Sequence, residues 1–141
     1  MNILITGAKG FIGKNLVAQL NNIKEGKAKH PSLGSDLTIF EFDKDTDPSL
    51  LDTYCQQANF VFHLAGVNRP KEQSEFMEGN FGFTSELLDT LKKHNNNCSI
   101  MLSSSIQAEL DNPYGESKKA GEDLLLQYGK ETGAKVYIYR F

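Results

Sequence analysis

The sequence has 141 residues, of which 39% are hydrophobic and 23% are charged, close to the averages of globular proteins. This length suits one domain with a single core, and the formal net charge of −3 offers no basic surface for a nucleic acid backbone. No apolar stretch approaches the ~18 residues of a membrane-spanning helix, so we expect a cytoplasmic domain without membrane or nucleic acid partners.

The apolar pattern predicts strands that alternate with helices along the chain. Strands are expected at 2–6, 37–42, 60–64, 99–103 and 136–140, and helices follow from residue 11, from about residue 48, over a region including 83–91 and over 115–130. The polar stretch 21–36 is expected to be an exposed, mobile connection. Alternating strands and helices require right-handed crossovers and a parallel sheet. We therefore predict an α/β, Rossmann-like doubly wound parallel sheet of about five strands, with helices on both faces and the second strand at one edge.

Three glycines follow the first strand, Gly7, Gly10 and Gly13, at the spacing G-x-x-G-x-x-G. Between a strand and a helix, such glycines allow a tight turn, close approach of the backbone to a pyrophosphate and close packing of helix on sheet. The N–H groups and positive dipole end of the helix favour an anion there. We predict that this turn, which also holds Phe11 and Ile12, binds the diphosphate of a dinucleotide.

The ends of the second and third strands add candidate cofactor contacts. Asp43 closes the second strand, where an acidic residue accepts hydrogen bonds from an adenosine ribose and repels a 2′-phosphate, which favours NAD. Its neighbour Lys44 would instead attract a 2′-phosphate as a point charge, so these two residues leave NAD and NADP both open. Leu64, Ala65 and Gly66 end the third strand with mostly small residues, over which a ribose or diphosphate can lie.

Tyr114 and Lys118 lie four residues apart and therefore share one face of a predicted helix. A phenol titrates at about 10, but an adjacent ammonium moves its pKa toward the working pH and makes proton transfer efficient. The same lysine can hydrogen-bond a ribose hydroxyl. At the end of the fourth strand we favour Ser105 as the hydroxyl that orients a substrate carbonyl, with Ser104 as the alternative and Ser103 as a cofactor contact.

Two asparagines have expected structural roles. Asn112, followed by Pro113, suits the capped start of the helix that carries the phenol. Asn80 lies in a helical pattern and needs hydrogen-bond partners if it faces the core, so we expect it to brace the strand that carries Ser104 and Ser105.

Other chemistries are disfavoured. The two cysteines, Cys55 and Cys98, and the three histidines are scattered without metal-ligand spacing, so we expect free thiols and no metal. The chain has no G-x-S-x-G turn of a serine hydrolase.

Five segments together resemble the extended short-chain dehydrogenase/reductase family of nucleotide-sugar epimerases, dehydratases and reductases. They are Thr-Gly-x-x-Gly-Phe-Ile-Gly at 6–13, His-Leu-Ala-Gly at 63–66, Asn-Phe-Gly-Phe-Thr at 80–84, Ser-Ser-Ser at 103–105 and Tyr-Gly-Glu-Ser-Lys at 114–118. The resemblance implies that the matching Ser, Tyr and Lys are a catalytic triad and that the matching glycines bind NAD(P).

Within that family, segments 63–70, 103–108 and 112–118 are most similar to reductases of capsular polysaccharide synthesis. The resemblance implies NADPH-dependent reduction of a 4-keto UDP-sugar, a homodimer in the intact enzyme, and a C-terminal zinc-binding cupin domain. On this basis residues 1–141 are expected to be a truncated N-terminal NAD(P)-binding domain, without the substrate-binding part. The alternatives are an epimerase or dehydratase of the same family, or a non-catalytic NAD(P)-binding module. Arg69 either holds a substrate phosphate or hydroxyl or faces solvent.

Overall fold

The computed structural model describes residues 1–65 and 81–141. Within these ranges strands and helices alternate, as the apolar pattern predicts. The elements are β1 Asn2–Thr6, α1 Phe11–Lys24, β2 Thr38–Phe42, α2 Ser49–Gln57, β3 Phe60–His63, α3 Phe83–Lys93, β4 Ser99–Ser104, a 3-10 turn Ile106–Glu109, α4 Pro113–Thr132 and β5 Val136–Arg140.

The strands form one parallel sheet in the order β2-β1-β3-β4-β5. The chain moves from β1 to β2 on one side and then returns to place β3 on the other side of β1. The order of the strands therefore reverses between β1 and β3, and all five carboxyl ends lie along one edge. In open α/β sheets ligands bind outside the carboxyl ends at such a reversal, so the topology itself marks this edge as the site.

The side chains of β1 alternate between two cores, one on each face of the sheet. Leu4 faces the larger core, where α2, α3 and α4 contribute buried side chains such as Leu51, Leu87 and Leu125. Ile3 and Ile5 face the smaller core, which is closed by Leu20, Ile23 and Leu37. Helices cover both faces, and the predicted doubly wound Rossmann-like architecture is confirmed, with β2 at one edge.

The largest difference from the predicted elements is the end of the first helix. The polar connection was expected from residue 21, but α1 continues to Lys24. Ile23 lies three residues after Leu20 and is buried on the same helix face, so its burial extends α1 through the polar Asn21 and Asn22. Across 1–65 and 81–141, no helix is long and apolar enough to cross a membrane.

Candidate active site

An open cleft of about 580 Å³ lies at the carboxyl edge of the sheet. It is walled by the turn after β1, the ends of β2, β3 and β4, and the first turns of α4. Most of the predicted site residues line it: Gly7, Gly10, Phe11, Ile12, Gly13, Asp43, Lys44, Leu64, Ser103, Ser104, Ser105, Tyr114 and Lys118. Two residues that the sequence did not single out, Lys9 and Phe141, line it as well.

Of the described residues that were predicted for the site, Ala65 does not line the cleft. Its N–H group instead donates to Thr6 Oγ1 at 3.2 Å, at the end of β1. Gly66, Arg69 and Asn80 lie outside the described residues, so their predicted roles stay predictions.

The turn between β1 and α1 depends on the lack of a side chain at two glycines. Gly7 has a φ of +70°, and its N–H group donates to Phe42 O at 2.9 Å. A Cβ atom on Gly13 would lie 2.2 Å from Gly7 O, so α1 can start this close to the turn only with glycine there. Gly10 caps α1 with no side-chain hydrogen bond, which leaves the helix N-terminus open to an anion. These features fit a bound diphosphate.

Asp43 connects the end of β2 to this turn. One carboxylate oxygen accepts the N–H of Lys9 at 2.8 Å and the other accepts the N–H of Lys44 at 2.7 Å. The Lys9 ammonium pairs with Asp45 at the surface. The Asp43 carboxylate is therefore held by two backbone N–H groups at this end of the cleft, and it keeps lone pairs for further donors.

Tyr114 and Lys118 face the cleft from the start of α4. Asn112 caps this helix by accepting the N–H of Gly115 at 2.8 Å, and Pro113 occupies its first turn, as predicted. The Lys118 ammonium nitrogen lies 5.6 Å from the centroid of the Tyr114 ring, which confirms the shared helix face. Burial lowers the pKa of Lys118, because the charged form loses solvation there. The Lys118 ammonium and the Tyr114 ring are therefore neighbours in a partly desolvated part of the cleft.

Ser104 and Ser105 have different hydrogen-bond partners. Ser104 is buried, and its hydroxyl donates to Glu122 Oε2 at 2.6 Å, which uses its single proton. Ser105 Oγ accepts the N–H of Gln107 at 3.1 Å, so its proton remains for donation to another oxygen. The geometry favours Ser105 over Ser104 as the hydroxyl that orients a carbonyl.

A buried polar cluster behind the cleft was not predicted from the sequence. His63 Nδ1 lies 2.6 Å from Thr6 Oγ1, and His63 Nε2 lies 2.8 Å from Thr84 Oγ1. Burial, together with the charge of Lys118, lowers the pKa of His63 to about 3, so the ring is neutral. The signal in the sequence was that a polar residue ends each of the buried strands β1 and β3. The pairing of these two strands places Thr6 opposite His63.

Glu122 was also missed, although it follows Lys118 by the same four-residue spacing that pairs Lys118 with Tyr114. Among residues 1–65 and 81–141, no three His, Cys, Asp or Glu side chains are grouped as metal ligands.

Comparison with known proteins gives relatives for the chain. The sequence pattern of the NAD dependent epimerase/dehydratase family matches residues 3–141. The chain is 36% identical over 140 residues to the UDP-2-acetamido-2,6-beta-L-arabino-hexul-4-ose reductase of Pseudomonas aeruginosa, in an alignment that covers 99% of this chain and 35% of the reductase.

Two of the solved structures that share the fold illustrate the similarity. CapF, a capsular polysaccharide assembling protein from Staphylococcus aureus, superposes with a TM-score of 0.79 and 48% identity, over 100% of this chain and 35% of CapF. UDP-glucuronic acid 4-epimerase from Bacillus cereus, in complex with NAD, superposes with a TM-score of 0.73 and 25% identity, over 99% of this chain and 56% of the epimerase. The chain spans about a third of the reductase and of CapF. With the family pattern matching nearly its whole length, the chain belongs to the NAD dependent epimerase/dehydratase family.

Proposed function

We propose that this chain is the cofactor-binding and proton-donating part of an NAD(P)H-dependent reductase that acts on a 4-keto UDP-sugar in bacterial capsule or surface polysaccharide synthesis. The observation that carries the proposal is the position of Tyr114. The centroid of its ring lies 5.6 Å from the Lys118 ammonium nitrogen, in the same cleft as the glycine turn after β1. The similarity to a UDP-hexulose reductase and to CapF supports the substrate class.

The residues of the cleft divide the reaction among them. A bound dihydronicotinamide would supply a hydride to the keto carbon. Tyr114 donates its hydroxyl proton to the keto oxygen, so that the ketone becomes a secondary alcohol. Lys118 stabilises the phenolate that remains, and Ser105 donates a hydrogen bond to the oxygen as negative charge develops on it. The turn from Gly7 to Gly13 holds the diphosphate.

The choice between NADH and NADPH depends on the loop after β2. Asp43 fits the ribose hydroxyls of NADH, whereas Lys44 fits the 2′-phosphate of NADPH. Titration of the full-length protein with each cofactor, followed by nicotinamide fluorescence, measures the two affinities. Asp43→Asn should strengthen NADPH binding relative to NADH, because the variant removes a charge that repels the phosphate.

The central test measures turnover of a 4-keto UDP-sugar with NADPH or NADH in the full-length protein. A reductase consumes one reduced cofactor per sugar, whereas an epimerase has no net consumption. Tyr114→Phe should lower kcat by about 100-fold or more while cofactor affinity stays unchanged, because only the acid is lost. Tyr139→Phe removes the same atom from an exposed tyrosine on β5 and serves as the control. Unchanged turnover in Tyr114→Phe would refute the proposed acid.

A further inference from the structure

Glu122 is a buried carboxylate on the helix face that carries Tyr114 and Lys118. It follows Lys118 by four residues and Tyr114 by eight, so the three side chains lie along one side of α4. Only 4% of the residue is exposed. Charged side chains are seldom buried to this extent unless they are paired, so the partners of Glu122 indicate its role.

Both oxygens of Glu122 have partners at the ends of neighbouring strands. Oε2 accepts the Ser104 hydroxyl at 2.6 Å and Arg140 Nε at 2.9 Å, and Oε1 accepts Arg140 Nη2 at 2.7 Å. Burial by itself would raise the pKa of Glu122, but the hydrogen bonds from Arg140 and Ser104 outweigh it and lower the pKa. Glu122 is therefore ionised and held by a two-pronged pair with Arg140.

Arg140 extends this network to the residues around Ser105. It lies opposite Ser104 in the pairing of β4 with β5, and its Nη1 donates to Glu109 Oε1 at 2.9 Å. Glu109 is the last residue of the 3-10 turn that follows Ser105. The Glu122–Arg140 pair thus joins α4, the ends of β4 and β5, and the 3-10 turn.

This network bears on the site because the proposed acid and the proposed carbonyl-orienting hydroxyl lie on different elements. Tyr114 moves with α4, and Ser105 moves with the end of β4. Apolar packing between a helix and a sheet is non-directional, whereas a two-pronged ion pair fixes both distance and orientation. Ser104, directly before Ser105, is hydrogen-bonded to Glu122. Glu109, at the end of the 3-10 turn directly after Ser105, is hydrogen-bonded to Arg140.

We propose that Glu122 is a positioning residue that, through Ser104 and Arg140, holds Ser105 in line with Tyr114 and Lys118. Glu122 acts through these residues and does not contact the substrate. This role rests on the proposed reductase function.

The test compares Glu122→Gln with wild type in the full-length protein, using turnover of a 4-keto UDP-sugar. Gln keeps the shape of the side chain but removes the charge that faces Arg140. Rates are divided by the number of cofactor-binding sites, so that unfolded protein does not count. We expect kcat per site to fall about 10-fold to 100-fold, because a displacement of about 1 Å has an effect of this order, while cofactor affinity is unchanged. Asp123→Asn, which breaks an exposed ion pair with Lys119 one residue along α4, is the matched control and should keep the wild-type rate.

A double-mutant cycle adds a second readout. If Glu122 acts through Arg140, then Glu122→Gln combined with Arg140→Gln loses no more kcat than the worse single variant. Arg140→Lys, which keeps the charge but not the two-pronged geometry, should lower kcat in the same way and replaces Glu122→Gln if that variant does not fold.

The outcomes separate this role from the proposed function. A purely structural role would reduce the number of cofactor-binding sites and leave kcat per site unchanged, and that result overturns the proposal. Tyr114→Phe is measured in parallel. If Tyr114→Phe loses turnover while Glu122→Gln and Arg140→Lys do not, the positioning role is refuted and the proposed function stands. Full activity in Tyr114→Phe would instead refute the proposed reductase mechanism.

Discussion

Acidification should destabilise this fold through one buried side chain, His63. The residue has 0% exposure, and burial lowers its pKa to about 3, with a smaller contribution from the charge of Lys118. In the unfolded chain a histidine binds its proton at about 6.5. The unfolded state therefore takes up a proton at a higher pH than the folded state does. The contribution of neutral His63 to stability is complete above about pH 6.5 and is lost as the pH falls toward 3.

The size of the effect follows from this difference in pKa. Between the unfolded and folded pKa values of His63, each unit of pH lowers the free energy of unfolding by about 1.4 kcal/mol. The loss is about 2 kcal/mol from about pH 7.5 to about pH 5, and about 5 kcal/mol down to about pH 3. The variant His63→Gln has no titrating ring. It should be less stable than wild type near pH 7.5, because the amide cannot reproduce both contacts to Thr6 and Thr84.

Urea unfolding of the 141-residue chain, followed by circular dichroism across this pH range, measures the slope. Protonation of carboxylates also destabilises the protein on acidification. The informative quantity is therefore the difference in free energy of unfolding between wild type and His63→Gln. We expect this difference to shrink by about 2 kcal/mol from about pH 7.5 to about pH 5. His30→Gln, in the segment between α1 and β2, is the control and should follow the wild-type slope. If wild type and His63→Gln lose stability in parallel, the buried neutral histidine is not the source of the effect.

Two further predictions concern the start of each helix at the cleft. Gly13→Ala places a Cβ atom 2.2 Å from Gly7 O, so the turn must shift, and NADH affinity should fall by at least about tenfold in a fluorescence titration. Gly34→Ala, whose Cβ would lie 3.8 Å from the nearest atom, should bind normally; equal affinity in both variants would contradict the role of the turn. Asn112→Ala removes the cap that accepts the Gly115 N–H at 2.8 Å, and urea unfolding should show that the free energy of unfolding falls by about 1 kcal/mol. An unchanged free energy of unfolding would contradict a stabilising role of this cap.

The sequence was sufficient to predict the elements and the parts of the site that depend on local spacing. β1 and β5 have the predicted bounds, because each is a short run rich in apolar or aromatic residues. The glycine turn and the Tyr114–Lys118 pair depend on spacings of three and four residues, which a sequence displays directly. The end of α1 was predicted too early, because the polar Asn21 and Asn22 obscured the burial of Ile23.

The unpredicted parts of the site depend on contacts between distant residues. Thr6 and His63 are 57 residues apart and meet through the pairing of β1 with β3. Ser104 and Glu122 are 18 residues apart and meet through the packing of α4 on β4. Counting along the fourth strand favours Ser105 over Ser104, but the partner of Ser104 is subject to the same limit. A run of identical serines carries no information about which one meets Glu122, and only the packing of α4 on β4 decides it.

Two neighbouring serines at the end of β4, Ser104 and Ser105, make the register of this strand critical. Successive side chains in extended backbone project to opposite sides. The Ser104 hydroxyl therefore bonds to Glu122 on α4, while the Ser105 hydroxyl is presented to the cleft. A one-residue slip of β4 against β3 would turn the buried Ile100 and Leu102 away from the core, even where another serine takes the place of Ser104. An insertion or deletion within β4 should therefore be far more damaging than a conservative substitution at any single position along it.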